Sequence, residues 1–351
     1  MKRIKVNELK GGEYLSAPVI LENGNKLFYE GTCVHLVHID RLIENKIEEV
    51  EIFEDDFTEK KSKEVIRQEV QEDCKNKLKE VVNVYICKEN KSLKEVTETA
   101  NEIIEDILLR DDLTQKVYDI KVRNGNIYDH SVRVAVLSII TAVKMNLEKN
   151  MIFSIGVGSL LHDIGLKYVS VDYMDVDPAM SDPENYFEFK KHTIYGLSAV
   201  EKESWMSSSA KKIILFHHEK INGTGYPLKQ KMIPEEVKIV SICDAFDDKI
   251  CGIGCIKGNV PEAIDNLKKY KDIFYDGKVV DVFLEFVAQY PVGTKVETNL
   301  GDTAIVIEQN DQYTDRPSIQ LICDKDGNKY SDGVVINLAE KRSILIEKVI
   351  E

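Results

Sequence analysis

The spacing of the histidines constrains the fold of this chain more than any other feature of its sequence. The chain has seven histidines, and five of them fall between residues 130 and 218. With one later aspartate they form the series His130, His162, His192, His217, His218 and Asp244. Apart from one adjacent pair, successive members are about 25 to 32 residues apart, which suits one helix with its connection in an antiparallel bundle. The sequence therefore predicts a helical bundle built around a shared polar site.

An aspartate follows one of these histidines directly, at the end of an apolar run. The run from Met151 to Leu161 has the length of a helix packed into a core, and His162-Asp163 comes next. An unpaired charge buried there is costly, and a divalent metal is a partner that suits both groups. Taken singly, each member of the series is explained as a hydrogen-bonded residue of a core or a helix end. Six such separate explanations in one domain are less economical than one shared site.

The chemistry of the side chains indicates which metals such a site would hold. Imidazole and carboxylate ligands without cysteine suit manganese, iron, cobalt, nickel or zinc rather than calcium. Six or more such ligands exceed what one four-coordinate site uses. We therefore predict two metal ions, bridged by the carboxylate of Asp163. Two metals about 3.5–4 Å apart, holding a hydroxide and a phosphoryl oxygen, are the arrangement that hydrolyses phosphodiesters.

Two motifs resemble those of a known family. His162-Asp163-Ile164-Gly165, together with His-His-Glu-Lys-Ile-Asn-Gly-Thr-Gly-Tyr-Pro at residues 217–227, is similar to the HD-GYP domain. This domain is a branch of the HD metal-dependent phosphohydrolases associated with hydrolysis of the bacterial second messenger cyclic di-GMP. The similarity extends from near His130 to Val287. It implies metal ligands at His130, His162, Asp163, His192, His217, His218 and Asp244. It also implies two divalent transition metal ions, iron or manganese in the first place and nickel, cobalt or zinc as alternatives.

The resemblance further implies a reaction and the residues that act in it. A hydroxide bridging the two metals would attack phosphorus and release the linear dinucleotide, or GMP after a second cleavage. The implied catalytic residues are Asp163 and Lys167. The implied substrate-binding residues are Lys167, Gly223, Gly225, Tyr226, Pro227 and Lys257. For Tyr226 and Pro227 a purely structural role as a rigid loop anchor stays open. Glu219 either orients a ligating histidine or is a helix-end charge.

Three positions depart from the pattern of the family. The lysine usually found directly after His-Asp-Ile-Gly is replaced by Leu166, so Lys167 would have to reach the phosphates. The arginine usual after the Asp-Ala-Phe-Asp segment is missing, which leaves Lys249 or Lys257 for that task. Asn126 stands where some members carry a glutamate as an added ligand. We therefore expect two metals and not three.

These departures keep two other functions open. One is a sensor that binds the cyclic dinucleotide and signals through its flanking modules, with weak turnover or none. The missing basic residues favour a sensor, whereas the complete set of metal ligands favours an enzyme. The other is an HD phosphohydrolase that acts on a different nucleotide phosphate ester. A panel of substrates separates that function from hydrolysis of cyclic di-GMP.

The rest of the chain predicts a mainly α fold, with a central all-helical HD-type bundle flanked by two small modules. Residues 1–57 suit a small α+β module, in which Asn-Gly at residues 23–24 marks a hairpin turn. Residues 58–110 suit a charged helical connector, which could also be a dimerising seam. Residues 111–290 hold the HD-GYP-like metal-dependent phosphohydrolase domain. Residues 291–351 form a small β module after a Pro-Val-Gly break.

Charge and cysteine content limit the partners and the compartment. A formal net charge of -14 argues against general binding to nucleic acid or anionic membranes. No apolar segment approaches the roughly 18 residues of a membrane helix, and the start of the chain lacks the apolar stretch of a signal peptide. Seven scattered cysteines, none in a Cys-x-x-Cys pair, suit reduced thiols in the cytoplasm. We expect a cyclic dinucleotide as ligand, no DNA, no membrane insertion, and a homodimer or a regulatory protein partner.

Overall fold

The computed structural model divides the chain into two compact units. The described residues are 2–9, 13, 15–21, 26–28, 34, 39, 42–43, 45–52, 68–87, 93–108, 126–310, 312–330 and 334–350. Residues 1–63 form one unit and residues 64–351 form the other. The predicted fold class, mainly helical with a strand-rich C-terminal module, is confirmed. The finer boundaries at residues 57, 110 and 290 remain predictions.

Short antiparallel strands build the first unit around a small apolar core. The strands are β1 (Lys2–Lys5), β2 (Val19–Ile20), β3 (Lys26–Phe28) and β4 (Glu49–Ile52). Strand β1 pairs with β4, and β2 pairs with β3. Leu15 and Leu42 are fully buried in the core of this unit. The predicted turn at residues 23–24 and both N-terminal histidines, His35 and His38, lie outside the described residues.

Helices are the predominant regular structure of the second unit. A first pair consists of α1 (Gln68–Cys87) and α2 (Val96–Leu108). The helices that follow are α3 (Ile127–Lys144), α4 (Lys149–Leu161), α5 (Pro183–Lys190), α6 (His192–Val200), α7 (Ser208–Phe216), α8 (Glu235–Cys251), α9 (Val260–Tyr270) and α10 (Gly277–Leu284). A short 3-10 helix, Ile164–Tyr168, follows α4. Within the described ranges, no helix is long and apolar enough to cross a membrane.

Two apolar helices, α3 and α4, form the interior of the bundle. In α3 every residue from His130 to Ala142 is buried, as expected for a helix that is apolar on all sides. Helix α3 packs against α4 and α8, and α4 also packs against α2 and α7. Asn126 caps α3, since its side-chain oxygen accepts hydrogen bonds from the backbone N–H groups of Tyr128 (2.9 Å) and Asp129 (3.1 Å). Polar side chains on these helices are therefore held in an interior that is closed to water.

A five-stranded antiparallel sheet ends the chain. Its strands are β5 (Lys295–Thr298), β6 (Thr303–Asn310), β7 (Tyr313–Cys323), β8 (Val335–Asn337) and β9 (Ile346–Ile350), in the order β8-β7-β6-β5-β9. The sequence predicts β5, β6, β8 and the second half of β7. The sequence missed the polar first half of β7, which contains Pro317, a residue that cannot donate a hydrogen bond to a neighbouring strand. The sequence also missed β9, which forms through its pairing with the distant β5.

Candidate metal centre

The seven predicted ligands converge on one buried site. They are His130 in α3, His162 and Asp163 after α4, His192 at the start of α6, His217 and His218 after α7, and Asp244 in α8. All of them except His218 are at most 2% exposed. Five segments of the bundle therefore deliver imidazole nitrogens and carboxylate oxygens to the same enclosed volume.

A first donor group consists of His130, His162 and one oxygen of Asp244. The Nε2 atoms of the two histidines are 3.0 Å apart. Asp244 Oδ1 lies 3.1 Å from His162 Nε2 and 3.3 Å from His130 Nε2. Asp163 Oδ2 lies 3.5 Å from each of those two nitrogens. Four donor atoms thus surround one small volume.

A second donor group consists of Asp163, His192, His217 and His218. Asp163 Oδ1 lies 3.4 Å from His192 Nε2 and 3.6 Å from His217 Nε2. The Nε2 atoms of His192 and His217 are 3.2 Å apart. Since Oδ2 of Asp163 faces the first group and Oδ1 faces the second, this carboxylate has the placement of a bridging ligand.

Backbone carbonyls fix the orientation of the imidazole rings. The Nδ1–H groups of His162 and His192 donate to Ser159 O (2.6 Å) and Phe189 O (2.7 Å). His217 Nδ1 lies 3.1 Å from the carbonyl oxygens three and four residues earlier in its helix. A carbonyl oxygen only accepts, so each of these Nδ1 atoms carries a proton and Nε2 is the nitrogen that faces the centre. Rings held in this way are ready to bind a metal.

A buried arginine and a carboxylate orient His130. His130 Nδ1 lies 2.8 Å from Asp247 Oδ2. Arg133 makes a two-pronged ion pair with the same carboxylate, from Nε to Oδ1 (2.7 Å) and from Nη2 to Oδ2 (2.9 Å). Arg133 is 6% exposed and Asp247 is fully buried. The charge of Asp247 is therefore neutralised by Arg133 and does not add to the charge of the metal centre.

Burial and charge place three members of the second donor group, Asp163, His192 and His218, in the protonation states that bind metals. Burial lowers the pKa of His192 to about 4. Burial, reinforced by His217, also lowers the pKa of His218. For Asp163 burial acts to raise the pKa, but the surrounding imidazoles outweigh it and hold the pKa below its usual range. Neutral imidazoles beside an ionised carboxylate are the forms that coordinate metal ions.

In the first donor group, the two histidines bind protons more readily than His192 and His218 do. Burial acts to raise the pKa of Asp244, but hydrogen bonds from His130 and His162 outweigh it and lower that pKa. Burial also acts to lower the pKa of both histidines, but the neighbouring carboxylates outweigh it and raise both. A metal that binds here would displace those protons.

An unsatisfied oxygen shows that a cation fits the site. Asp244 is 1% exposed, yet its Oδ2 has no hydrogen-bond partner among the described residues. A buried carboxylate oxygen without a partner is costly. Together with this oxygen, the five imidazoles and two carboxylates form a cluster that can bind metal ions.

The Gly-Thr-Gly-Tyr-Pro loop lies against the second donor group. The ring of Tyr226 stacks on that of His218, with 4.7 Å between centroids. A Cβ at Gly225 would lie 2.5 Å from the backbone of His218, so only glycine allows the loop to approach the ligand this closely. Glu219, which is 1% exposed, accepts a hydrogen bond from the N–H of Leu228 (2.7 Å). Glu219 therefore anchors the loop, and Tyr226 borders the metal centre.

The glycine of His-Asp-Ile-Gly has a similar packing role. A Cβ at Gly165 would lie 1.8 Å from the carbonyl oxygen of His192. The 3-10 helix after Asp163 can therefore rest directly on the start of α6. This contact fixes the distance between Asp163 and His192, which belong to the same donor group.

The basic residues predicted to bind phosphate lie in three different surroundings. Lys167 Nζ lies 4.8 Å from the centroid of the Tyr128 ring. Lys249 Nζ lies 3.0 Å from Ile256 O and 3.4 Å from Glu262. The backbone N–H of Lys257 donates to Asp175 (2.8 Å). The roles assigned to Lys167 and Lys257 remain predictions.

Sequence reasoning missed four residues that border the centre: Arg133, Lys190, Asp247 and Asp248. Lys190 Nζ lies 5.5 Å from the centroid of the Tyr226 ring. Asp244, Asp247 and Asp248 stand at positions i, i+3 and i+4 of α8, which lie on one face of a helix. That spacing was a readable signal for the two additional carboxylates. No comparable signal distinguishes Lys190 from the other lysines of the chain.

Comparisons with known proteins agree with this geometry. Residues 127–248 match the HD domain family, and residues 295–351 match the KOW domain associated with HD domains. The chain is 28% identical over 228 residues to a cyclic di-GMP phosphodiesterase of Pseudomonas aeruginosa, covering 64% of this chain and 55% of that protein. It is 28% identical over 248 residues to a cyclic di-GMP phosphodiesterase of Thermotoga maritima, covering 67% of this chain and 66% of that protein. The chain thus spans little more than half of the first relative and just under two thirds of the second.

A solved structure shares the fold. An HD-GYP-type protein of Bdellovibrio bacteriovorus superimposes with a TM-score of 0.52 at 22% identity, covering 80% of this chain and 97% of that chain. At this identity the likeness shows the fold alone. The predicted resemblance of the helical domain is confirmed by the match to the HD domain family and by the two phosphodiesterase relatives.

Replacing Gly165 with Ala should weaken metal binding. The added methyl group would meet the His192 carbonyl at 1.8 Å, so α6 or the His-Asp segment must shift. We expect a loss of stability of about 1–3 kcal/mol and a lower metal content, measured by elemental analysis of the purified protein. Gly156→Ala is the matched control, because the atom nearest to its methyl group is the flexible end of Ile139, at 3.2 Å. A Gly165→Ala variant with the metal content of the control would contradict this role.

Removing Arg133 alone should lower the free energy of unfolding more than removing Arg133 together with the charge of Asp247. Arg133→Met leaves a buried carboxylate without its cation, which typically costs about 3–5 kcal/mol. In the double variant Arg133→Met/Asp247→Asn that uncompensated charge is absent. Chemical denaturation of Arg133→Met, Asp247→Asn and the double variant, at equal metal content, measures the free energy of interaction between the two side chains. Losses that simply add would show that the pair does not act as a unit.

Proposed function

We propose that this chain, whose residues 127–248 belong to the HD domain family, is a metal-dependent phosphodiesterase. Its substrate would be cyclic di-GMP or a related cyclic dinucleotide, and its product the linear dinucleotide or GMP. The observation that carries the proposal is that the two oxygens of Asp163 face different donor groups. Oδ2 faces His130 and His162, and Oδ1 faces His192 and His217. The two relatives that are cyclic di-GMP phosphodiesterases support the substrate class.

The proposed cofactor is a pair of divalent transition metal ions, iron or manganese. His130, His162 and Asp244 would hold one ion, and His192 and His217 the other, with Asp163 shared and His218 beside them. When bound, two such cations lower the pKa of water and offset the charge of a phosphoryl group. Catalysis of this kind also depends on how rigidly the protein holds its ligands.

The residues of the chain supply that rigidity and a binding surface. The Nδ1 hydrogen bonds of His162 and His192 prevent their rings from turning away from the centre. Tyr226 stacks on His218 at the border of the site, with Lys190 Nζ 5.5 Å from its ring centroid, so an aromatic ring and a cation lie together where a nucleotide would bind. The net charge of -14 does not attract an anionic substrate, so local cations must do so.

Lys190 is the cation that we assign to the substrate phosphates. Its Nζ lies 4.2 Å from the Tyr186 ring and 5.5 Å from the Tyr226 ring, so the ammonium group sits beside the loop that borders the centre. Leu166, at the position of the family's lysine, is 3% exposed and packs with Phe189 in an apolar cluster. That position therefore carries no charge, and Lys190 in α5 would supply the positive charge instead.

The burial of Leu166 also favours a second candidate function, a sensor that binds the nucleotide without turnover. The complete set of metal ligands favours the enzyme. A phosphohydrolase for another nucleotide phosphate ester differs from the first proposal only in its substrate. As part of the proposal we place the reaction in the cytoplasm, where the buried thiols of Cys74, Cys243 and Cys251 stay reduced. A homodimer or a regulatory protein partner remains an expectation.

Hydrolysis by metal-loaded protein tests the proposed function. With manganese or iron bound, we expect the protein to hydrolyse cyclic di-GMP, cyclic GMP-AMP or cyclic di-AMP. Chromatography of the products measures the turnover. The variant His162→Ala/Asp163→Ala should lose more than about 100-fold in activity, because removal of a ligand's hydrogen-bond partner alone costs 10–100-fold. Asp265→Ala, at an exposed position of α9, is the control. Nucleotide binding without turnover in protein of confirmed metal content would refute the enzyme and support the sensor.

A pair of lysine variants separates the two candidate phosphate contacts. Lys190→Met should raise the KM for the cyclic dinucleotide about tenfold with a smaller change in kcat, equivalent to about 1.4 kcal/mol of lost binding. Lys167→Met, whose cation lies over the Tyr128 ring, should change KM less. Steady-state kinetics of both variants measures the difference. A larger effect of Lys167→Met would return the role to the residue predicted from the sequence.

A further inference from the structure

We infer that Asp248 is a metal ligand, and that with His218 and Asp244 it forms a third donor group that binds an additional divalent cation. The inference rests on the proposed metal centre and extends it by one site. It also differs from the expectation of two metals, which depended on Asn126 standing where a glutamate ligand occurs in some HD-GYP proteins. Asn126 serves as the cap of α3, and the extra carboxylate comes from α8.

The three residues of this group meet at one place. One donor atom of each lies within 4.8 Å of the donor atoms of the other two. His218 Nδ1 lies 3.6 Å from Asp244 Oδ2. Asp248 Oδ1 lies 3.7 Å from His130 Nε2, which places it next to the first donor group. Two carboxylates and one imidazole are a ligand set that suits Mn²⁺.

Two buried oxygens of this group have an imidazole nitrogen at ion-pair distance but lack a hydrogen bond. Neither Asp244 Oδ2 nor Asp248 Oδ1 has a hydrogen-bond partner among the described residues, although both atoms are shielded from solvent. Within the described ranges, no Lys or Arg lies within ion-pair distance of Asp248, whereas its neighbour Asp247 is paired with Arg133. Buried carboxylate oxygens normally have a hydrogen-bond donor or a cation as partner. A metal between them would satisfy both.

The two oxygens of Asp244 face different donor groups, as those of Asp163 do. Asp244 Oδ1 lies 3.1 Å from His162 Nε2 in the first donor group. Asp244 Oδ2 points instead toward His218. Asp163 thus joins the first group to the second, and Asp244 joins the first to the third. The three groups form one continuous cluster.

The third group lies at the outer edge of that cluster. The side chains of His218 and Asp248 are each 13% exposed, whereas those of the first group and Asp163 are at most 3% exposed. An ion at this edge has a shorter path to solvent. We therefore expect the third cation to exchange more readily than the other two.

Metal counting tests this inference independently of activity. Wild-type protein is titrated with Mn²⁺, free Mn²⁺ is followed by electron paramagnetic resonance, and the bound metal is counted by elemental analysis. We expect three equivalents in the wild type, with the weakest lost in Asp248→Ala and in Asp248→Asn. Asp265→Ala is the matched control and should keep all three. Circular dichroism and thermal unfolding confirm that the variants are folded.

The outcomes separate this inference from the proposed function. Equal numbers of bound Mn²⁺ in the wild type and in Asp248→Ala would overturn the third site and leave the phosphodiesterase proposal intact. Two equivalents in the wild type and one in Asp248→Ala would also overturn it, since Asp248 would then serve one of the first two ions. Three equivalents without any hydrolysis would support the third site and refute the phosphodiesterase.

Discussion

The burial of charge inside an apolar bundle is the constraint on which this structure depends. Asp163 and Asp244 are at most 2% exposed and have imidazoles as their neighbours, whereas Asp247 is paired with Arg133. A buried carboxylate without a cation is costly enough to oppose folding. The helices that carry these groups can pack closely only when the charges are balanced. Metal binding and the packing of the bundle are therefore expected to stabilise each other.

The same constraint explains why the ligands are held by backbone groups. Carbonyl oxygens near the ends of helices lack partners within the helix, and two of them accept hydrogen bonds from His162 and His192. Gly165 and Gly225 then allow ligand-bearing segments to touch neighbouring backbone, where any side chain would collide. The glycines of the His-Asp-Ile-Gly and Gly-Tyr-Pro motifs are thus packing requirements, and the first motif also contributes two of the candidate ligands.

The border of the centre has changed more than its interior. The position of the family's lysine is filled by Leu166, which packs in an apolar cluster with Phe189. Lys190 lies beside Tyr226, where we propose that it supplies the positive charge instead. A further carboxylate, Asp248, faces the centre from α8. Such changes leave the first two donor groups complete, and they alter the part of the site that a substrate would meet.

The sequence by itself determined the helical bundle and the seven residues that converge, because apolar runs fix which segments are buried and histidines at their ends have few other roles. It could not determine which oxygen of Asp163 faces which histidines, or that Arg133 neutralises Asp247. Nor could it place Lys190 beside Tyr226, or find strand β9, whose partner β5 lies far away in the chain. These features depend on the direction of side chains and on contacts between distant segments, and only the packed tertiary structure decides both.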